Sequence, residues 1–121
     1  MSHILIVDDS TFARANLRRP LEEAGYTTIE ASSGQKALEI VQTVKPDLVT
    51  LDLLMPGLSG LETLIQLLPL CPDSKIVVIS ADIQSATQQE LIEAGAHAFL
   101  NKPVAKADLI ATAARLLAER R

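Results

Sequence analysis

Five times along the chain a short apolar run is followed by a longer segment of helical period, and this alternation constrains the fold more than any other feature. Parallel strands need a long crossover, usually a helix, so the rhythm implies βα units around a parallel sheet. The pattern predicts strands near residues 3–8, 27–31, 47–52, 75–80 and 97–101, with helices near 11–24, 34–44, 59–68, 84–94 and 105–119. Leu48-Val49-Thr50-Leu51 and Ile76-Val77-Val78-Ile79 are almost continuously apolar, as expected of central strands covered on both faces. Ser59-Gly60-Leu61-Glu62 reads as a capping box, Gly25 and Gly95 as residues that close helices, and Leu109, Ile110, Ala113, Leu116 and Leu117 as one apolar helix face. One residue conflicts with its segment: Pro20 costs a regular helix about 3 kcal/mol and its bond to the Asn16 carbonyl, so a kink or break is expected between Asn16 and Leu21.

The 121 residues suit one domain, residues 1–121, with no output domain expected after the last helix. Cys71 cannot pair within the chain, and His3 and His97 lie near no second thiol, which excludes a disulfide scaffold and points to a cytoplasmic setting. A net charge of −4, no Trp, one Tyr and two Phe leave little with which to grip nucleic acid directly. The run Ile4–Val7 stops at Asp8-Asp9, and no stretch approaches the roughly 20 apolar residues of a membrane span, so no membrane partner is expected. Structural or solvated roles are expected for His3 and His97, a partly buried filler for Cys71, and a solvated helix face for Arg14, Arg18 and Arg19.

Acids close two of the predicted strands, Asp8-Asp9 the first and Asp52 the third. In a parallel sheet all carboxyl ends share one edge, where open α/β sheets bind ligands. Two like charges about 4 Å apart repel by roughly 4 kcal/mol at an effective dielectric near 20, so converging carboxylates call for a cation. Hard oxygen donors suit Mg²⁺, which takes one or two carboxylates together with a phosphate oxygen. Capping of the first helix is the plainer use of Asp8 and Asp9, but it leaves Asp52 unexplained. Ser80 ends the fourth strand with a hydroxyl and Lys102 follows the fifth with an ammonium. Acid pair, acid, hydroxyl and lysine at four strand ends are the set that phosphorylation of a carboxylate requires.

Ile-Leu-Ile-Val-Asp-Asp at 4–9, Pro-Asp-Leu-Val-Thr-Leu-Asp at 46–52, Met-Pro-Gly-Leu-Ser-Gly at 55–60, Ser80-Ala81, and Gly-Ala-His-Ala-Phe-Leu-Asn-Lys-Pro at 95–103 occur in one order. In that order and spacing they make the whole chain resemble the receiver domain of two-component response regulators, of the single-domain chemotaxis type. The resemblance implies an α/β fold, a five-stranded doubly wound parallel sheet (flavodoxin-like, order 2-1-3-4-5) with five helices. It implies that Asp52 accepts a phosphoryl group from a histidine kinase or histidine phosphotransfer protein. It further implies Mg²⁺ or Mn²⁺ held by Asp9 directly, Asp8 mainly through water, Asp52 and the Leu54 backbone carbonyl.

By the same resemblance Lys102 neutralises the phosphoryl oxygens, Ser80 moves inward to meet them, Phe99 turns behind it, and Lys102-Pro103 is cis. The altered surface is then the one formed by helix 4, strand 5 and helix 5, which binds a downstream protein, and a phosphatase is a further candidate partner. Such a chain is no enzyme beyond its own phosphorylation and dephosphorylation. Leu54 and Asp82 stand where the family modulates loss of the phosphoryl group, and an apolar Leu54 cannot orient water, so a long-lived phosphorylated state is expected. The alternative is a receiver-like binding module that acts without phosphorylation. A haloacid dehalogenase-type phosphatase would want an acid where Leu54 stands, and flavin phosphate would be repelled by Asp8-Asp9.

Overall fold

The structure, a computed structural model, describes residues 2–81 and 84–119. Its elements run β1 (His3–Val7), α1 (Thr11–Glu23), β2 (Thr27–Ala31), α2 (Gly34–Ile40), β3 (Leu48–Leu51), α3 (Gly60–Leu70), β4 (Lys75–Ser80), α4 (Ser85–Ala94), β5 (Ala98–Asn101) and α5 (Lys106–Ala118). All strand pairs are parallel, in the order β2-β1-β3-β4-β5. The expected fold class, strand order and helix number are therefore those observed.

Strand residues alternate between two cores because successive side chains point to opposite faces. Leu5, Val7, Val49, Leu51, Ile76 and Val78 pack with Ala37 of α2, Leu64 and Leu67 of α3 and Leu91 of α4. Ile4, Ile6, Leu48, Val77 and Ile79 pack with Leu17 and Leu21 of α1 and Leu109, Ala113 and Leu116 of α5. Helices thus cover both faces of β1, β3 and β4, whose side chains are almost all inaccessible. This is why those strands read as unbroken apolar runs.

One local expectation, the break at Pro20, is corrected, and two helix ends shift by two to four residues. Helix α1 passes through Pro20 without a break, held by buried Leu17 and Leu21; Asn16, whose carbonyl loses its donor, is exposed, where water can serve it. Helix α3 likewise includes Pro69, opposite exposed Ile65, and ends at Leu70 rather than near 68. Helix α2 stops at Ile40 instead of 44, and Lys45 donates its ammonium to the carbonyls of Val41 (2.5 Å) and Leu70 (2.9 Å). Strand ends fall within a residue of expectation.

The capping box at Ser59 forms in both directions, with Glu62 N–H donating to Ser59 Oγ and Ser59 N–H to Glu62 Oε1, each at 3.2 Å. It starts α3 beside the loop after β3. A Cβ on Gly60 would overlap Leu53 Cα and the Asp52 carbonyl oxygen, so only glycine lets α3 begin this close to Asp52. Gly25 and Gly95 close α1 and α4 at φ 100° and 107°. Cys71, expected to be partly buried, is 3% exposed and its thiol donates to the Leu67 carbonyl.

Candidate functional site at the carboxyl edge of the sheet

Strands β1 and β3 are neighbours, so the residues that follow them, Asp8-Asp9 and Asp52, meet at the carboxyl edge. One carboxylate oxygen from each of the three lies within 4.8 Å of the others. Asp8 and Asp52 are buried and Asp9 is exposed. The capping explanation of the acid pair is set aside by Ser10, which is itself the N-cap of α1 and accepts from Ala13 N–H.

Lys102 reaches across from the segment after β5. Its ammonium lies 2.7 Å from Asp8 Oδ2 and 3.4 Å from Asp52 Oδ2. Asp52 Oδ1 accepts from the Leu54 N–H at 3.3 Å. Burial, reinforced by the neighbouring Asp8 charge, raises the Asp52 pKa above the ordinary carboxylate value, and the Lys102 charge works against that rise. For Lys102, burial opposes the charged form, but the hydrogen bond to Asp8 and the charges of both acids outweigh it, so its pKa is raised. One ammonium therefore offsets part of the repulsion between two buried carboxylates and leaves a net negative site. Lys102 also lines a cleft of about 630 Å³ with Phe12, Leu17, Ile79 and Pro103, and its side chain is 28% exposed. The Lys102–Pro103 bond is cis, as the resemblance implied.

The remaining groups are close by. Ser80 ends β4, and its hydroxyl is buried with no hydrogen-bond partner among the described residues. A buried hydroxyl without a partner is a strained choice unless something is to reach it. Phe99 is half-buried against the core shared with α2, α3 and α4 and is paired in register with Val78, so it shares a sheet face with Ser80. Leu54 is 69% exposed beside Asp52. Asp82 lies outside the described residues.

Sequence reasoning missed one part of the neighbourhood. Arg14, expected on a solvated face, is only 12% exposed and forms an ion pair with Glu30 of β2 at 2.9 Å. The available signal was Glu30 itself, an acid in a strand whose neighbours are apolar or neutral. Of the two histidines, His3 is exposed and its ring meets Thr27 Oγ1, whereas His97 accepts the Ile76 N–H at its Nδ1.

A doubly wound parallel sheet with an acidic cluster and a lysine at its carboxyl edge is the arrangement of the receiver class. The chain belongs to the response regulator receiver domain family, whose model matches residues 4–114. It is 41% identical over 101 residues to the chemotaxis protein CheY of Thermotoga maritima, covering 83% of this chain and 84% of that one. A CheY-like receiver domain protein from Methanospirillum hungatei superposes with a TM-score of 0.95 at 28% identity, over 99% of this chain and 96% of the other. A response regulator from Burkholderia pseudomallei, solved with a phosphorylated aspartic acid, calcium ion and citrate, gives a TM-score of 0.87 at 29% identity, over 98% and 72% of the two chains. Among the described residues no helix is long and apolar enough to cross a membrane.

Proposed function

We propose that the chain is a response regulator that takes a phosphoryl group onto Asp52 from a phosphohistidine of a histidine kinase or phosphotransfer protein and relays the change to a downstream protein. The observation that carries this reading is the bridging of buried Asp8 and Asp52 by Lys102, with Asp9 alongside. The donor set fits a hard divalent cation: Asp8, Asp9, Asp52 and the Leu54 carbonyl would hold Mg²⁺ or Mn²⁺. When bound, such an ion supplies charge neutralisation to the phosphoryl oxygens.

An Asp52 carboxylate oxygen forms the new bond to phosphorus as the bond from phosphorus to the histidine nitrogen breaks. The carboxylate attacks as an anion, so no general base is needed. Lys102 stabilises charge on the transferred group, and positioning with electrostatic stabilisation provides the catalysis. The acyl phosphate then offers Ser80 an acceptor that none of the described residues gives its buried hydroxyl. Movement of Ser80, followed by Phe99 on the same sheet face, alters the surface formed by α4, β5 and α5. Leu54 cannot orient a water for hydrolysis, so the phosphorylated form is long-lived, and a phosphatase is its natural partner.

Intact-mass analysis after incubation with acetyl phosphate tests the reading. The wild-type chain should gain one phosphoryl group only when Mg²⁺ is present, and Asp52→Asn should gain none. Equal uptake by Asp52→Asn would move the acceptor elsewhere. No uptake by the wild type, beside a competent control receiver quenched equally fast, would favour a binding module that works without phosphate.

A further inference from the structure

Asp8 is held at every polar atom it has. Its N–H donates to the Ala31 carbonyl at 3.1 Å, Oδ1 accepts from Ser10 N–H at 2.9 Å, and Oδ2 pairs with Lys102. Its carbonyl oxygen accepts from Arg14 Nη1 at 2.6 Å. That last bond fixes the peptide joining Asp8 to Asp9, and a peptide is planar, so fixing its carbonyl also fixes where the Asp9 backbone begins. Asp9 is exposed on the surface of the cluster, and its N and Cα lie in this peptide plane.

The guanidinium is itself clamped. Nε donates to Glu30 Oε1 at 2.9 Å and Nη2 to Thr11 Oγ1 at 3.3 Å, while Arg18, one turn further along α1, holds Glu30 Oε2 at 3.1 Å. Glu30 is paired in register with Ile6, which packs against α1, so its carboxylate lies beneath that helix. Glu30 also cancels the Arg14 charge locally. Lys102 therefore supplies charge to the acidic cluster, and Arg14 supplies geometry.

We propose that Arg14 is a positioning residue, braced by Glu30, whose bond to the Asp8 carbonyl aims Asp9 and so sets the affinity of the acidic cluster for a divalent cation. This rests on the reading of that cluster as a cation site. Positioning and simple electrostatics predict opposite signs. Removing a positive charge near three carboxylates should tighten cation binding, whereas releasing the Asp8–Asp9 peptide should weaken it.

The experiment is a calorimetric Mg²⁺ titration of the unphosphorylated chain, with thermal melting of each variant measured without Mg²⁺. Arg14→Met keeps the length of the stem and removes the donors; it should bind Mg²⁺ about tenfold more weakly than wild type. Arg19→Met removes the same charge from an exposed site on α1 and should stay within about twofold. A cooperatively melting Arg14→Met that binds Mg²⁺ as tightly as wild type, or more tightly, overturns the positioning role and leaves the cation site standing. Should Arg14→Met fail to fold, Arg14→Lys carries the test, because one ammonium lacks the planar fork that holds Glu30 and the Asp8 carbonyl together. Unchanged affinity there overturns the proposal equally. If the wild type gives no Mg²⁺ isotherm, the cation reading itself fails and the proposal falls with it.

Discussion

Among the described residues two buried hydroxyls, Thr50 Oγ1 and Ser80 Oγ, have no hydrogen-bond partner, yet they stand differently in the molecule. Thr50 points into the core between β1 and β4, in register with Ile6 and Val77, where no phosphoryl group can reach. Removing an unsatisfied buried hydroxyl while keeping the shape recovers its desolvation cost, about 1 kcal/mol. Thr50→Val should therefore raise stability in urea denaturation by roughly that amount and leave phosphorylation unaltered. Ser80→Ala should likewise cost little stability, within about 1 kcal/mol, but should abolish the amide shifts that the proposed function expects in α4 and β5 on phosphorylation. Retention of those shifts in Ser80→Ala would remove the hydroxyl from the switch. The acids, the lysine and the serine were legible because each ends a strand. Arg14 was not, because a charged residue on a helix reads as solvated until the strand residue beneath it is known.

Elements were legible wherever a periodic pattern met a stop signal. Gly25, Gly95 and the Ser59 capping box marked their helix ends closely. Pro20 misled, because the propensity rule counts a lost hydrogen bond and not the two buried leucines that flank it. The lost bond still has its cost: Pro20→Ala should stabilise the chain by about 1–3 kcal/mol, measured by urea denaturation. A destabilised Pro20→Ala would mean that the ring packs more favourably than the helix bond it removes.

Strand β5 has a different weakness. At its start the His97 ring takes the N–H of Ile76, and His97 N–H donates to the Ile76 carbonyl, so a side chain completes the rung that the turn after α4 leaves open. An imidazole accepts only where it is unprotonated. Burial and then the Lys75 charge lower the His97 pKa below the usual imidazole value near 6.5. The unfolded chain thus takes up the proton first: the contribution is intact above about pH 6.5 and declines as pH falls toward the lower folded-state pKa. Wild-type melting temperature should drop across that window more than that of His97→Gln. Equal drops would show that the rung does not depend on the imidazole's protonation state.

Across the whole molecule, burial is uneven in a way that suits the proposed switch. Strands β1, β3 and β4 are covered on both faces, whereas β5 is half-exposed and only Leu91 is buried among the described side chains of α4. Gln84 at the start of α4 makes no side-chain capping bond, and neither does Ala105 at the start of α5. Local opening is easiest where few apolar contacts are lost, so amides of α4 and β5 should exchange with deuterium faster than those of β1 and β3. Uniform protection across the sheet and α4 would argue against a surface poised to rearrange. The alternation of runs made the parallel sheet legible, while the strand order followed only from the family resemblance, because a pattern of strands and helices does not say which strands are neighbours.

The ion pair between Lys102 and Asp8 joins residues 94 positions apart. Asp52 lies between them in sequence, so on the proposed function a growing chain would carry its acceptor about 50 residues before the lysine that stabilises the transferred group. A fragment that ends before Lys102 would therefore hold the acid without the ammonium that bridges it to Asp8. On that reading the site is complete only once β5 has been made, and it doubles as a report that every strand of the sheet is present.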